Sequence, residues 1–484
     1  MKKFIEGGKW IPVGEIMGAI SANIIEGLPE EETAMFLKLI QVYQNHATKN
    51  AQKNKYYEGN IPLAEVNLGL ALPQGMTGLE IGCAWGAKTV DVLAGRSMFD
   101  GFVGTDGREV DRLIQLVKDN NLTAEYPKAT RDELKLGCTF ATLSADDEIG
   151  CKIRFHSAQT AAAVWDGEKG RIAYGFAIIA MTEDQGNQIP SLINLYTDDA
   201  VWVLRRTDNA RWEAEGFPQK MGRPLMEPLI YNPTSSKPFG QSRIKEPIRR
   251  LIQGYVRTIA NATIGLEFST SPQKYLLGVT DEEYEQVINS KFKTYVGSII
   301  TSTTNPETGE KPTFGQLQQG TIAPHVEMLR MLATQYSAAT GLTVTDTGVV
   351  NDANPTSSEA ILAQSQTLIT MAEQLNIANG DALRTIALMA LAIIENTTIE
   401  ELSEEQKNIV AHFKNPAMPS VAATADAAIK IASARPAFAQ TDTFLEMIGF
   451  DQADVRRIKA QEQRARGQQV MASLGIGNDN QGQK

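Results

Sequence analysis

The stretch Phe239-Gly240-Gln241-Ser242-Arg243-Ile244 divides this sequence of 484 residues into two halves that differ in pattern. A polar link precedes it and contains Pro224, Pro228, Pro233 and Pro238. After it, apolar residues recur at helical spacing as far as about Ile264. Ser242 is a residue type that caps helices, and Pro247 is tolerated only in a first turn or at a kink. The stretch therefore predicts that a long helix begins here, after a proline-rich link.

The half before this link, residues 1 to about 235, predicts a mixed domain. Helical periodicity covers residues 30–50 and 108–120. Strand-like runs bounded by Gly, Asp and Asn occupy residues 152–156, 173–180, 192–196 and 200–204. Asp166-Gly167 and Asp208-Asn209 are typical of tight hairpin turns, which join antiparallel strands. This half is therefore predicted to be α+β with an antiparallel sheet.

The half after the link predicts two long helices that flank a small α/β insert. In the insert, residues 268–279 have an extended pattern, residues 281–295 a helical one, and residues 298–304 are rich in β-branched side chains. Pro324 and Gly341 mark the two ends of the second helix. Its predicted apolar stripe consists of Ile322, Val326, Leu329, Ala333 and Tyr336.

A polar loop and further helices complete the predicted order. Residues 342–356 are rich in Thr, Gly, Asn and Asp, which disfavours a helix. Thr356-Ser357-Ser358-Glu359 has the form of a capping box, so a new helix begins there and more helices follow as far as Asn396. Residues from about 397 onward are predicted to be helical, and residues 475–484 have the composition of a disordered tail.

The composition is that of a globular protein with an acidic balance, net charge −11. A protein that grips DNA over a broad surface is usually basic, so either DNA is no partner or the protein lets DNA pass without sticking. Cys83, Cys138 and Cys151 lack zinc-like spacing, which favours buried thiols. The most apolar run, residues 387–394, is too short for a membrane helix and predicts a buried one.

Basic residues cluster around the start of the first long helix, against one acid, Glu246. They are Arg243, Lys245, Arg249, Arg250 and Arg257. A solvated helix face is one interpretation of this cluster. The other is a contact with an acidic neighbour or with phosphate.

An enzymatic alternative comes from residues 79–86, Leu-Glu-Ile-Gly-Cys-Ala-Trp-Gly, with Asp106 downstream. They resemble the nucleotide-binding loop and ribose-binding carboxylate of an S-adenosylmethionine-dependent methyltransferase. The preceding strand is too short, Trp85 is too large for such a loop, and no alternation of strands and helices follows. The sequence has no Walker A loop and no HExxH motif, so no catalytic, metal or cofactor residue is predicted.

Several short sequence segments, taken in their order along the chain, resemble a siphophage-type portal subunit. This is the family of tailed-bacteriophage head-to-tail connectors. The segments occupy residues 56–59, 67–73, 90–96, 239–244, 337–342, 354–360, 425–427 and 444–450. The resemblance spans residues from about 50 to 465. It departs at residues 82–86, where related portals often carry a Trp-Pro pair.

The resemblance implies a ring-forming portal fold, usually dodecameric, at one capsid vertex of the virion, assembled in the bacterial cytoplasm. It places a wing at residues 1–235 and 357–396, stem helices at 236–265 and 320–341, and a clip at 266–319. A tunnel loop at 342–356 and a helical crown with the C-terminal tail at 397–484 complete it. A structural conduit of this kind is not an enzyme, and its implied partners are other copies of itself and double-stranded DNA in the channel. The protein partners are the terminase large subunit, the major capsid and scaffolding proteins, and a head-completion or adaptor protein, with no membrane.

The predicted functional residues follow from these parts. The tunnel-loop candidates are Thr343, Thr345, Asp346, Asn351, Asp352 and Asn354, and the clip candidates for terminase or adaptor docking are Lys274, Glu283, Lys291 and Lys293. From Met331 to Leu383 the sequence has no Lys or Arg. One interpretation is an acidic lining, which repels phosphate and keeps DNA moving. The alternative is that this polar loop lacks Lys by chance. Another capsid component, such as an adaptor, is a third class, which the polar loop between long helices disfavours.

Overall fold

The computed structural model describes residues 25–62, 80–104, 111–184, 187–207, 211–270, 274–277, 309, 311, 313–316, 321–348, 358–417, 421–450 and 452–473. Helices and antiparallel sheets alternate along this chain, which confirms the mixed α+β prediction.

Among the described residues, the first part of the chain supplies a long helix, three shorter helices and most of the strands. Its helices are α1 (Glu30–Glu58), α2 (Trp85–Ala94), α3 (Asp111–Asp119) and α4 (Leu122–Leu136). Its strands are β1 (Asn60–Pro62), β2 (Glu80–Gly82), β3 (Phe99–Gly104), β4 (Cys138–Asp146), β5 (Gly150–Ser157), β6 (Ala161–Asp166), β7 (Arg171–Asp184), β8 (Asn187–Tyr196), β9 (Ala200–Arg206), β10 (Trp212–Pro218) and β11 (Met226–Ile230).

The second part is mainly helical. Its helices are α5 (Glu246–Thr270), α6 (Ala323–Thr340), α7 (Ser358–Glu395), α8 (Glu404–Lys407), α9 (Val421–Ala434), α10 (Asp442–Ile448) and α11 (Gln452–Ser473). Its strands are β12 (Lys274–Leu277), β13 (Thr313–Gln316) and β14 (Ile409–Phe413). Short 3-10 turns lie at Thr345–Thr347, Ile399–Glu401 and Phe438–Gln440.

Two antiparallel sheets form the centre of the first part. One has the order β10-β9-β8-β7-β6, and the other has the order β11-β4-β5. Asp166 closes the β6–β7 hairpin, since its carboxylate accepts from the backbone N–H groups of Glu168 and Lys169 at 2.9 and 3.0 Å. This confirms one of the two predicted turns, while Asp208-Asn209 lies outside the described residues.

Helix α1 covers the five-stranded sheet and is longer than the pattern predicts. Phe36 contacts Phe176 edge to face, with ring centroids 5.9 Å apart, and Tyr43 donates to the carbonyl of Gln159 at 2.5 Å. The helix ends at Gly59, whose φ of 78° lies in the left-handed region where glycine is favoured.

Helix α7 is one continuous helix of 38 residues, where the sequence predicts several. Its stretch Ser365–Glu395 is long and apolar enough to span a membrane by length and composition, so the apolar run is longer than predicted. In the most apolar 18-residue window of this stretch, 56% is buried inside the protein. Leu383, Ile386 and Met389 are fully buried, so the helix is a core element.

A buried polar cluster fixes α7 to α4. The Asn379 amide donates to the carboxyl of Glu133 and to the hydroxyl of Tyr126, both at 2.9 Å. Complete burial raises the pKa of Glu133 to about 8, so this carboxyl is neutral at pH 7. Ser97 bonds the Tyr126 hydroxyl at 2.7 Å, which extends the cluster to the turn after α2.

The segment after α7 departs from the prediction of a wholly helical tail. Residues Ile409–Phe413 form β14, which pairs antiparallel with β3, and Ile409 is fully buried. The chain therefore returns to the first domain before α9 begins. The helical prediction is wrong here because the strand depends on a partner about 300 residues earlier, which a local pattern does not reveal.

The insert after α5 begins later than predicted. Helix α5 continues to Thr270, so residues 268–270 are helical where the sequence predicts an extended chain. Strands β12 and β13 pair antiparallel. The predicted helix at 281–295 and strand at 298–304 lie outside the described residues.

The glycine-rich segment at 82–86 is a helix-packing junction. Strand β2 pairs antiparallel with β1, and a Cβ at Gly86 would lie 1.8 Å from the carbonyl oxygen of Tyr56. At Gly82, a Cβ would meet nothing within 4 Å. The glycine next to Trp85 therefore lets α1 approach α2, and every ladder among the described strands is antiparallel, unlike a nucleotide-binding sheet.

Gly86→Ala and Gly82→Ala form a matched pair that tests this interpretation. We expect Gly86→Ala to lower the free energy of unfolding by about 3 kcal/mol, because the backbones must separate. Gly82→Ala should change it by less than about 0.5 kcal/mol. Denaturant titrations measure both values. Equal tolerance of the two changes would contradict the packing role, and loss of S-adenosylmethionine binding by Gly82→Ala would restore the enzymatic alternative.

Candidate functional site

The two long helices predicted to flank the insert are α5 and α6, and they pack together. Ile248, Ile252 and Val256 of α5 and Leu332 and Tyr336 of α6 are buried in one cluster. The predicted stripe on α6 is only partly right. Ala333 and Tyr336 are buried, whereas Ile322 and Val326, toward the insert, are 40% and 41% exposed.

The junction before α5 is more elaborate than a helix cap. Helix α5 begins at Glu246, so Ser242 lies outside it. The Ser242 hydroxyl donates to the carbonyl of Lys135 at 2.5 Å and accepts from the N–H of Ile244 at 2.9 Å. Ser242 therefore fastens the link to the end of α4, which corrects its predicted capping role.

Arg243 is the centre of this junction. Its Nε donates to the carbonyl of Thr89 in α2 at 2.6 Å, and one terminal nitrogen donates to the carbonyl of Thr340 at 2.8 Å. The other donates to the hydroxyl of Tyr231 at 3.1 Å. Thr340 is the last residue of α6, where the helix dipole favours a positive charge. Arg243 is only 7% exposed, so its predicted place on a solvated or phosphate-binding face is corrected to a structural one.

The other basic candidates remain at the surface or half-buried. Lys245 is exposed, and Arg250 is exposed and pairs with Glu246 at 3.2 Å. The half-buried Arg249 donates to the amide oxygen of Gln52 and lies 5.9 Å from the ring centroid of Tyr56. Arg257 is half-buried on α5.

Trp85 joins the loop after α6 to α2. Its indole stacks on Tyr336, with ring centroids 4.5 Å apart and an angle of 22° between the planes. It also contacts Tyr255 of α5 at 4.6 Å, and its N–H donates to the carbonyl of Thr347 at 3.2 Å. From the sequence, Trp85 was only predicted to be too large for a nucleotide loop, and its packing role was missed. An aromatic residue at the start of a helix was the available signal.

The described base of the predicted tunnel loop is a short 3-10 turn. The Asp346 carboxylate accepts from the N–H and the hydroxyl of Thr343, at 3.0 and 2.8 Å. Thr345 is exposed beside it. The remaining tunnel-loop candidates, Asn351, Asp352 and Asn354, lie outside the described residues.

The clip candidates are described only at one position. Lys274 begins β12, which pairs with β13. Glu283, Lys291 and Lys293 lie outside the described residues.

Comparison with known protein families identifies the arrangement. The family model described as "Phage portal protein, SPP1 Gp6-like" matches residues 37–468. The chain belongs to this phage portal family. The match confirms the resemblance to a portal subunit that the sequence predicts. No curated protein matches the portal chain.

Solved structures similar to this portal chain come from gene transfer agent particles. A chain from the neck of the native particle, computed with C12 symmetry, is 11% identical with a TM-score of 0.43 and covers 76% of this chain and 89% of its own. A chain from the native virion is 10% identical with a TM-score of 0.44, covering 89% and 96%. A chain from the neck of the empty particle, computed with C6 symmetry, is 12% identical with a TM-score of 0.43, covering 79% and 96%.

Arg243→Met tests whether the buried guanidinium holds α2, the end of α6 and the link before α5 together. We expect it to lower the free energy of unfolding by about 3 kcal/mol, because it leaves the Thr340 carbonyl without its charged donor. Arg250→Met is the matched control. It removes an exposed ion pair, so its cost should stay below about 1 kcal/mol. Urea denaturation of both variants measures the difference, and equal costs would show that Arg243 does not hold this junction.

Proposed function

We propose that this portal chain assembles into a closed ring that serves as the conduit for double-stranded DNA at one capsid vertex of a virion. Family membership over residues 37–468 is the observation that carries this proposal. The ring admits DNA during packaging and releases it at ejection. It is a structural part rather than an enzyme, so a separate motor supplies the work.

Assembly is supported by the apolar residues that a single copy leaves exposed on its stem. Ile322, just before α6, is 40% exposed, and Val326 and Met331 within α6 are 41% and 47% exposed. Leu266 of α5 is 45% exposed. Apolar side chains along a helix are stabilised when a neighbouring copy removes them from water. The stem therefore provides an adhesive surface for adjacent subunits.

Ring formation is the first expected outcome of this proposal. Purified protein at micromolar concentration should sediment as a closed oligomer and show rings with a central hole by negative-stain microscopy. Ile322→Asn/Val326→Asn should raise the concentration needed for half-assembly at least tenfold, since it removes apolar surface. Leu37→Asn, which changes an exposed apolar residue on α1, is the control. A monomeric wild type at all concentrations and salts would exclude the ring.

The channel proposal rests on the distribution of charge along the sequence. Between Met331 and Leu383 there is no Lys or Arg, whereas Asp346, Asp352, Glu359, Glu373 and Asp381 lie within this stretch. A ring repeats these carboxylates around its axis. Basic side chains there would retain phosphates through counterion release, whereas carboxylates let the duplex move past.

Asp352→Lys tests the channel lining, with Asp352→Asn as its neutral counterpart. We choose Asp352 because the Asp346 carboxylate also holds the turn at Thr343. Asp352→Lys rings should package DNA poorly at low salt, and the yield should recover as salt screens the attraction to phosphate. Asp352→Asn should package nearly as the wild type does. The assay is genome yield in vitro at two salt concentrations, and normal low-salt packaging by intact Asp352→Lys rings would show that Asp352 is not in the DNA path.

The partners of the ring follow from the same proposal. The clip, residues 266–319, docks the terminase large subunit during packaging and a head-completion or adaptor protein afterwards, with Lys274, Glu283, Lys291 and Lys293 as contact candidates. The wing meets the major capsid and scaffolding proteins, and the crown points into the capsid. Assembly takes place in the bacterial cytoplasm, without a membrane partner or cofactor.

A further inference from the structure

A cavity of about 510 Å³ opens where α1, the start of β4 and the link before α5 meet. Its floor is apolar and includes Phe140, Ala162 and Phe239. Glu246 is its acidic lining residue. Its basic lining residues are His46, Lys49, Lys53, Lys237, Lys245 and Arg249, which we call the basic rim.

The positive charge of the basic rim is poorly compensated within the subunit. Lys53 is drawn inward, where its ammonium donates to the carbonyl of Leu136 at 2.9 Å and to the side chain of Asn50 at 3.3 Å. Burial, followed by the charges of Lys49 and Lys53, lowers the pKa of His46. Lys49, Lys237 and Lys245 are exposed at the mouth. The cavity therefore suits long anionic side chains, whose methylene groups pack on the apolar floor while their carboxylates meet the ammonium groups.

A matching surface of opposite charge lies elsewhere on the same chain. Residues 400–405, here called the acidic turn, expose the carboxylates of Glu400, Glu401, Glu404 and Glu405. Two capping boxes hold its backbone, one between Thr398 and Glu401 and one between Ser403 and Gln406. Lys407 pairs with Glu404 at 3.1 Å, which leaves most of the negative charge at the surface. A rigid acidic surface loses little conformational entropy on binding.

The two surfaces lie near opposite ends of β4, too far apart for one subunit to join them. The cavity is lined by Cys138, at the start of β4. The acidic turn follows α7, whose Ile394 lies against Gly150, and Gly150 pairs with Asp146 at the other end of β4. Eight residue steps along a strand separate these ends by roughly 27 Å. Two complementary surfaces that are separated on one subunit suit a head-to-tail interface, which closes into a ring when the rotation between copies divides a full turn.

We propose that the basic rim of one subunit receives the acidic turn of the next subunit in the ring. This inference rests on the proposed function, because it names the contact by which neighbouring subunits in the ring recognise one another. The cavity is a concave site with an apolar floor, which fits projecting glutamate side chains better than the convex, uniformly charged backbone of a DNA duplex. Duplex DNA is therefore the competing occupant that the experiment must exclude.

Charge exchange between the two surfaces gives the test. One variant makes the rim acidic, Lys49→Glu/Lys237→Glu/Lys245→Glu, and the other makes the turn basic, Glu400→Lys/Glu404→Lys/Glu405→Lys. Glu401 is left intact because its carboxylate accepts from the N–H of Thr398 within the capping box. The control variant, Glu168→Lys/Glu213→Lys/Glu215→Lys, changes the same number of exposed acids on the five-stranded sheet. Thermal melting shows that each variant is folded.

Each variant alone repels its own copies, so the concentration for half-assembly, measured by sedimentation at low salt, should rise at least tenfold. In a 1:1 mixture the acidic rim meets the basic turn, and the basic rim meets the acidic turn. The mixture should therefore reach half-assembly within about threefold of the wild-type concentration, because every interface again joins surfaces of opposite charge. The control should assemble as the wild type does.

The outcomes separate this inference from the proposed function. Wild-type rings together with unimpaired assembly of both variants would overturn the contact and leave the ring intact. Failure of the mixture to assemble, when both variants are folded, would also overturn it, because mixing restores only contacts between copies. If variant rings form normally but the rim variant loses retention of duplex DNA, the cavity is a phosphate site and the inference is wrong. Absence of wild-type rings would instead refute the proposed function itself.

Discussion

The fold depends most on a buried positive charge, Arg243, that lies among backbone carbonyls and a phenol. Removing a guanidinium from water is costly unless its donors are satisfied, and here Thr89, Thr340 and Tyr231 accept them. These partners belong to α2, to the end of α6 and to the link before α5. A charge that is satisfied only when three segments meet makes their mutual position all-or-none. This junction fixes the end of α6 beside α2, and hence where the loop after α6 begins.

Helix α7 carries the same constraint through the rest of the molecule. Leu368, Ala372 and Leu375 pack in the buried cluster that contains α5 and α6. The buried apolar residues between Ala382 and Ala392 pack in the core around β4 and β5. Between them Asn379 binds the neutral carboxyl of Glu133. The buried site of Glu133 favours the protonated carboxyl, so deprotonation lowers the stability of the folded protein. Because its folded pKa is raised above the unfolded value, its contribution is present below about pH 4.5 and is lost as pH rises through about 8.

Local pattern was sufficient for the elements that carry their own signals. The antiparallel hairpin at Asp166 and the end of α6 at Gly341 depend on neighbouring residues, and both agree with the sequence. The misses depend on distant partners. Strand β14 exists because β3 offers an edge, and Arg243 is buried because Thr340, about 100 residues later, ends a helix beside it. The sequence predicts several helices as far as Asn396, yet α7 is continuous and runs through Gly380, because core packing outweighs the roughly 1 kcal/mol that a helical glycine costs. At Trp85 the sequence identified the residue but not its partners, Tyr336 and Thr347.

The balance of charge decides what a ring of this chain requires. Copies with a net charge of −11 repel one another, so each junction needs local attraction that exceeds this repulsion. The exposed apolar residues of α6 supply attraction, but apolar burial has little directional preference and does not by itself fix the angle between subunits. Rigid opposite charges do fix an orientation, because a misplaced carboxylate loses its partner. The angle between neighbours sets whether and with how many copies a head-to-tail assembly closes. In the proposed ring, the opposite charges of the basic rim and the acidic turn would therefore set the angle between neighbouring copies, and the basic-free stretch from Met331 to Leu383 would be left for the DNA path.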